Sequence, residues 1–140
     1  MADQPKTLGV DLGERRIGLA VAAGGVAVPH ATLERSTEPA ADRVAVVAAA
    51  RAAGCERIVV GMPTSLSGDE GPAAVAAQAE VAGLRALAPD LEIVVFDERF
   101  TTVIAQRELH TAGLSAKQQR RVVDETAAAV MLQSYLERRA

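Results

Sequence analysis

The sequence predicts an α/β fold: a mixed five-stranded sheet, three antiparallel strands followed by two parallel ones, flanked by helices. Three observations carry that expectation. Strand-like runs between Leu8 and Leu33 are joined by short connections, as an antiparallel meander requires. Two later apolar runs alternate with long Ala-rich stretches, the pattern of β-α units. Aromatics are scarce, with two Phe, one Tyr and no Trp, so the core must be built from Val, Ile, Leu and Ala, as in layered α/β proteins.

The elements follow in order. Leu8, Val10 and Leu12 alternate with Gly9, Asp11 and Gly13, a period of two that reads as a strand whose other face is nearly bare apart from Asp11. A tight turn at Gly13-Glu14-Arg15-Arg16 leads into a strand from Ile17 to Val21. Gly24-Gly25 makes another turn, and Val26 to Leu33 is a third strand. Glu38-Pro39 opens a helix that runs to about Ala53 and stops at Gly54. Ile58 to Met62 reads as a buried parallel strand, because it is short, apolar and bounded by turn residues. A polar loop from Pro63 to Gly71 precedes a helix from Pro72 to about Ala88. Ile93 to Phe96 is another buried strand, ending in Asp97-Glu98-Arg99. Thr102 caps a helix to about Thr111 that Gly113 ends, and Ser115 caps a last helix to about Arg138.

The chain has 140 residues, the size of one compact domain, and no repeat or linker divides it. Its single cysteine, Cys55, cannot bridge within the chain, and cysteine poverty suits a reducing, cytoplasmic setting. The first residues lack the apolar stretch of a signal peptide. No apolar run reaches the ~20 residues of a membrane helix. The formal net charge is −3, which weighs against a nucleic-acid binder. A carboxylate metal site adds negative charge that bound cations neutralise, however, and a basic patch can be local.

Three acids sit in surroundings wrong for ordinary surface carboxylates. Asp11 lies inside an apolar strand and shares a face with two glycines, which leave room for a ligand or another backbone. An Asp that only bonds a neighbouring turn would explain it too. Glu98 stands at the carboxyl end of a buried strand, the edge where open α/β sheets bind ligands, although a salt bridge with Arg99 is the plainer role. Asp124 stands above Ala128 and Met131, with Tyr135 further along one helix face; Lys117, Arg120 or Arg121 are the candidate partners for its charge. If the first strand is central and the last helix packs on the sheet, the three converge. Three oxygen ligands without His or Cys suit Mg²⁺ or Mn²⁺ rather than Zn²⁺. Such ions can clamp the attacking and leaving oxygens of a phosphodiester.

Basic residues flank each acid: Arg15 and Arg16 after Asp11, Arg99 after Glu98, and Lys117, Arg120 and Arg121 before Asp124. They are candidates for holding phosphates beside the scissile bond, against the usual alternative of solvated surface charge. The 63–71 loop falls at the same edge and is either a flap over substrate or a plain connection, with Glu70 a reserve acid. His30, at an expected strand end, and Cys55 read as structural.

Four motifs in fixed order then carry a resemblance. They are Gly9-Val10-Asp11-Leu12-Gly13 with Ile17-Gly18-Leu19-Ala20-Val21, Ile58-Val59-Val60-Gly61-Met62-Pro63, Asp97-Glu98-Arg99-Phe100-Thr101-Thr102, and Asp124-Glu125-Thr126-Ala127-Ala128 through Leu136. With these the chain resembles the YqgF/RuvX family of Holliday-junction resolvase-like nucleases, also described as pre-16S ribosomal RNA nucleases, from about Leu8 to Leu136. Met62 replaces the family's usual leucine, and Phe100 replaces the leucine that follows Asp-Glu-Arg. The resemblance implies an RNase H-like fold, a cytoplasmic location, divalent-metal catalysis, and a role in maturing the 5′ end of pre-16S ribosomal RNA. It carries the family's acidic residues onto Asp11, Glu98 and Asp124. The implied partners are precursor rRNA, ribosomal particles, or branched or single-stranded DNA.

Two other classes compete. A sugar-kinase-like phosphotransferase begins with a similar strand and hairpin but needs two such domains to enclose a nucleotide. A non-catalytic factor binding ribosomal RNA is favoured by the acidic charge and opposed by the intact trio of acids. Either a monomer or a homodimer is compatible with the sequence, a symmetric junction resolvase requiring the dimer.

Overall fold

A computed structural model of the protein describes residues 5–63, 71–98 and 115–139. The expected helix over 102–111 with its Thr102 cap, residues 64–70 of the polar loop including Glu70, and Arg99 lie outside the described residues.

The described elements run β1 (Thr7–Leu12), β2 (Arg16–Ala22), β3 (Ala27–Glu34), α1 (Pro39–Ala52), β4 (Arg57–Met62), α2 (Pro72–Leu87), β5 (Glu92–Asp97) and α3 (Ala116–Arg139). They form one five-stranded sheet in the order β3-β2-β1-β4-β5. β1 is central, antiparallel to β2 on one side and parallel to β4 on the other. β2 and β3 are antiparallel, and β4 and β5 are parallel. This is the RNase H-like arrangement that the strand pattern and motifs predict. His30 corrects one detail. It lies in the middle of β3 rather than at its end, exposed, where the β2–β3 register shifts between Leu19 and Ala20. Pro29 is tolerated there because β3 is an edge strand and owes no hydrogen bond outward.

The alternation along each strand sorts residues between two layers. Leu8, Val10, Ile17, Leu19, Ile58 and Val60 pack against Val46, Val47 and Ala50 of α1 and Val81 and Leu84 of α2. Cys55 joins that layer as a buried thiol, in keeping with a structural role. On the opposite face Ala20, Ala22, Val59 and Phe96 meet Ala128, Met131, Leu132 and Tyr135 of α3. Phe96 and Tyr135 stack edge to face with centroids 5.9 Å apart.

The α3 face of β1 and β2 is made of small residues, and this sets how closely the helix can lie. A Cβ on Gly9 would stand 2.9 Å from Leu132 Cβ, and one on Gly18 would collide with the backbone carbonyl of Asp124. Polar ties fix the helix in register: Thr32 Oγ1 donates to the Arg121 carbonyl at 2.8 Å, and the Ala27 N–H donates to Gln133 Oε1 at 2.8 Å.

The N-terminus of α3 is closed by a reciprocal cap. The Gln118 N–H donates to Ser115 Oγ at 3.2 Å, and the Ser115 N–H donates to Gln118 Oε1 at 2.9 Å. Ser115→Ala should therefore lower stability by about 1 kcal/mol, and Ser115→Asp should largely preserve it, as read from urea unfolding midpoints. Among the described residues no helix is long and apolar enough to cross a membrane.

Candidate active site

Period-two alternation places Asp11 on the α3 face, beyond Gly9 on β1. Glu98 follows β5 directly, two residues past Phe96, which also faces α3. β4 lies between them and presents Gly61 there, paired with Phe96 in register. A Cβ on Gly61 would sit 2.7 Å from Glu98 Oε1, so the bare glycine makes the space that lets Glu98 lie across β4 toward Asp11. The two carboxyls lie within hydrogen-bonding reach of each other.

Asp124 arrives from the other layer. Its backbone rests on Gly18, the residue that pairs with Asp11 across β1 and β2. Its charge is close enough to oppose ionisation of Asp11. The three acids therefore lie in one region at the carboxyl ends of β1 and β5. They are not equivalent, however. The partner of Asp124 is none of Lys117, Arg120 and Arg121. It is Arg16, whose Nε donates to Asp124 Oδ2 at 2.5 Å, with both side chains only about a quarter exposed (23% and 24%). The helical spacing of the three residues on α3 suggested them, but β2 delivers a nearer cation across the layer. Among the described residues, no three acid, His or Cys side chains stand gathered as a ready ion-binding group. Asp11 and Glu98 are paired, while Asp124 is turned onto a guanidinium.

Burial raises the pKa of Asp11, and the nearby Asp124 raises it further, partly offset by the hydrogen bond from Glu98. Glu98 is pushed up to about 7, by burial first, then by repulsion from Asp11 and by donating its proton to that residue. The folded pKa thus lies above the unfolded value of 4.5. Between pH 4.5 and about 7 the native state binds more protons than the unfolded chain, so stability falls as pH rises through that window. With solvent screening of this partly exposed group taken into account, the loss should be about 1–2 kcal/mol. Metal-free protein unfolded in urea at pH 5 and pH 8 checks this: the wild type should weaken across the window, and Glu98→Gln should not.

Next to the acids lies a cavity of about 540 Å³ lined by Arg15, Arg16, Glu34, Lys117 and Arg120. Four of the six basic residues expected to hold phosphates thus line one space, with Glu34 as its acidic member. Arg121 does not line it; its Nη2 stands 3.5 Å from Glu34 Oε1, and its carbonyl accepts from Thr32. Arg16 lines this cavity and also pairs with Asp124, so one residue links the two.

A model of the RuvX family, described as Holliday junction resolvase, matches residues 5–138. The chain belongs to the RuvX family. Among RuvX relatives, one from Kineococcus radiotolerans is 46% identical over 132 residues, covering 93% of this chain and 70% of the relative. One from Anaeromyxobacter dehalogenans strain 2CP-1 is 45% identical over 137 residues, covering 96% and 98%. Both carry the name "Putative pre-16S rRNA nuclease". Among solved structures, Thermus thermophilus RuvC in complex with a Holliday junction substrate superposes with a TM-score of 0.60 at 16% identity, over 98% of both chains. At that identity the likeness establishes the fold of this RuvX chain, and no more.

Three parts of the site were not legible as functional in the RuvX sequence. Gly18 and Gly61 stand in strand motifs with no role assigned to them by the sequence, yet each clears the space an acid occupies. The small run Gly18, Ala20, Ala22 on one strand face was the available signal for a closely packed helix. The Arg16–Asp124 pair joins residues 108 positions apart, and no local spacing points to it.

Proposed function

We propose that this chain is a single-domain, cytoplasmic, divalent-metal-dependent nuclease that hydrolyses phosphodiester bonds and processes the 5′ end of pre-16S rRNA. The observation that carries the proposal is the placing of Asp11 and Glu98 side by side with Asp124 near them, and of Arg16, the partner of Asp124, in a cavity lined by four cationic side chains. The names of the relatives, matched at 45–46% identity, support the RNA reading.

The donor set fits Mg²⁺ or Mn²⁺. All its atoms are carboxylate oxygens, the donors that hard divalent cations take, and they must be deprotonated to bind one. Asp11, Glu98 and Asp124 are the residues that would hold it. When bound, the cation supplies an acidified water and neutralises charge developing on the phosphate. The chain's own groups do the rest. Asp11 and Glu98, anchored at strand ends, fix the position of the reacting phosphate to a rigid sheet. Arg15, Lys117 and Arg120 draw the flanking phosphates of the strand into the cavity.

A branched-DNA resolvase is the second reading, favoured by the description of the family model. Matched precursor 16S rRNA, single-stranded DNA and four-way junctions, each incubated with Mn²⁺ and wild-type or Asp11→Asn protein, decide between them. Cleavage of the RNA by the wild type alone is the expected result. Cleavage confined to junctions would establish the resolvase, and binding without cleavage of any substrate would make the chain a non-catalytic RNA-binding factor.

A further inference from the structure

We infer that Arg16 is a positioning residue that withholds Asp124 from the metal site until a phosphodiester takes the guanidinium away. The inference rests on the reading of Asp11, Glu98 and Asp124 as the metal-holding set, and deepens it. In the structure the Arg16 Nε holds Asp124 Oδ2 at 2.5 Å, and no ready three-acid group is gathered among the described residues. Arg16 also lines the cavity, with Arg15, Lys117 and Arg120, where a strand phosphate would lie. Its main chain is fixed by the β1–β2 turn, in which the Gly13 N–H donates to the Arg16 carbonyl at 3.0 Å. The long side chain is left to choose between two anions on either side of it.

A guanidinium presents a planar fork of donors that matches a phosphate as well as a carboxylate. When a phosphate from the cavity takes the fork, Asp124 loses its cation and becomes a ligand lacking a charge partner, next to Asp11. Asp124 would then be free to join Asp11 and Glu98 in holding a divalent ion. The exchange couples the two ligands: phosphate promotes metal binding, and by linkage metal promotes phosphate binding to the same degree. It also weakens ion binding, without abolishing it, when no nucleic acid is present.

Mn²⁺ binding, measured by calorimetry without any turnover, tests this on the full chain. The probe for the phosphate is dimethyl phosphate, a phosphodiester monoanion. With no phosphate present, Arg16→Gln should bind Mn²⁺ about tenfold tighter than wild type, the factor expected for releasing a partly buried ion pair. Arg15→Gln removes the same charge from the same cavity and should change Mn²⁺ affinity by less than about threefold. Dimethyl phosphate should tighten Mn²⁺ binding to wild type, and this enhancement should shrink in Arg16→Gln. If Arg16→Gln does not fold, Arg16→Lys serves instead. Its ammonium lacks the fork, so Mn²⁺ should bind about two- to threefold tighter than to wild type. Unchanged or weaker Mn²⁺ binding in the Arg16 variant, or an equal gain in Arg15→Gln, would overturn the gate while leaving the metal site standing. Asp11→Asn separates the two claims: if it binds Mn²⁺ as wild type does, the acids are not the metal site and the gate falls with it.

Discussion

Replacing Asp11 by Asn should reduce metal-dependent cleavage by about three orders of magnitude or more, while making the metal-free protein harder to unfold. The first effect follows from position. Asp11 is central: it sits on the middle strand, bonds Glu98 and faces Asp124, so its charge is the one that the other two acids share. Without it the remaining carboxylates lack the charge to hold a divalent ion against the phosphate, and the several kcal/mol of charge stabilisation that such an ion contributes is lost. The second effect has the opposite sign because the folded protein confines this carboxylate where burial and Asp124 both oppose its ionisation. An amide of the same shape keeps a hydrogen bond to Glu98 and removes the repulsion. The gain should be about 1 kcal/mol, a rise of ~3 °C in the melting midpoint. Cleavage rates and metal-free melting curves at pH 8 check the two together. A variant that lost activity by unfolding would move the midpoint downward instead.

Gly18→Ala should destabilise the fold by about 3 kcal/mol and lower activity with it. The added methyl would run into the carbonyl of Asp124, a backbone atom that cannot rotate aside. Helix α3 would have to lift from β2, disturbing the packing of Ala128, Met131 and Leu132 and carrying Asp124 away from Asp11. Gly61→Ala offers the contrast. Its methyl would meet the flexible end of Glu98, 2.7 Å away. Stability should change by less than about 1 kcal/mol, whereas displacement of the Glu98 carboxyl should cut cleavage more than tenfold. Urea unfolding and activity measured on both variants distinguish a glycine that seats a helix from one that seats the Glu98 carboxyl.

The contrast shows which parts of the molecule local sequence can express. The strand sequence was legible because burial on one or both faces leaves alternation at Leu8, Val10 and Leu12, and solid apolar runs at Ile58–Val60 and Ile93–Phe96. Turn residues at Gly13, Gly24 and Gly54 fixed where elements end; Gly24 and Gly54 do adopt positive φ. Asp11 and Glu98 were legible because a carboxylate inside or at the end of such a run is costly without a purpose. Relations across layers were not. That Asp124 pairs with Arg16 depends on where α3 crosses β2, which is set by small side chains distributed over two strands and by ties such as Thr32 to the Arg121 carbonyl. Helical spacing could name only candidates on the same helix. Likewise the gathering of Arg15, Arg16, Lys117 and Arg120 around one cavity is a product of that crossing, and it reconciles a net charge of −3 with an anionic substrate.

Thermal unfolding with and without Mn²⁺ at pH 7.5 probes the role of the three acids most directly, with no substrate needed. At a hundredfold excess over its dissociation constant, a single ion bound only by the folded protein should add about 2.7 kcal/mol, and the melting midpoint of the wild type should rise accordingly. Asp11→Asn should show little or no rise. A wild type indifferent to millimolar Mn²⁺, or an Asp11→Asn protein stabilised as strongly, would contradict the account.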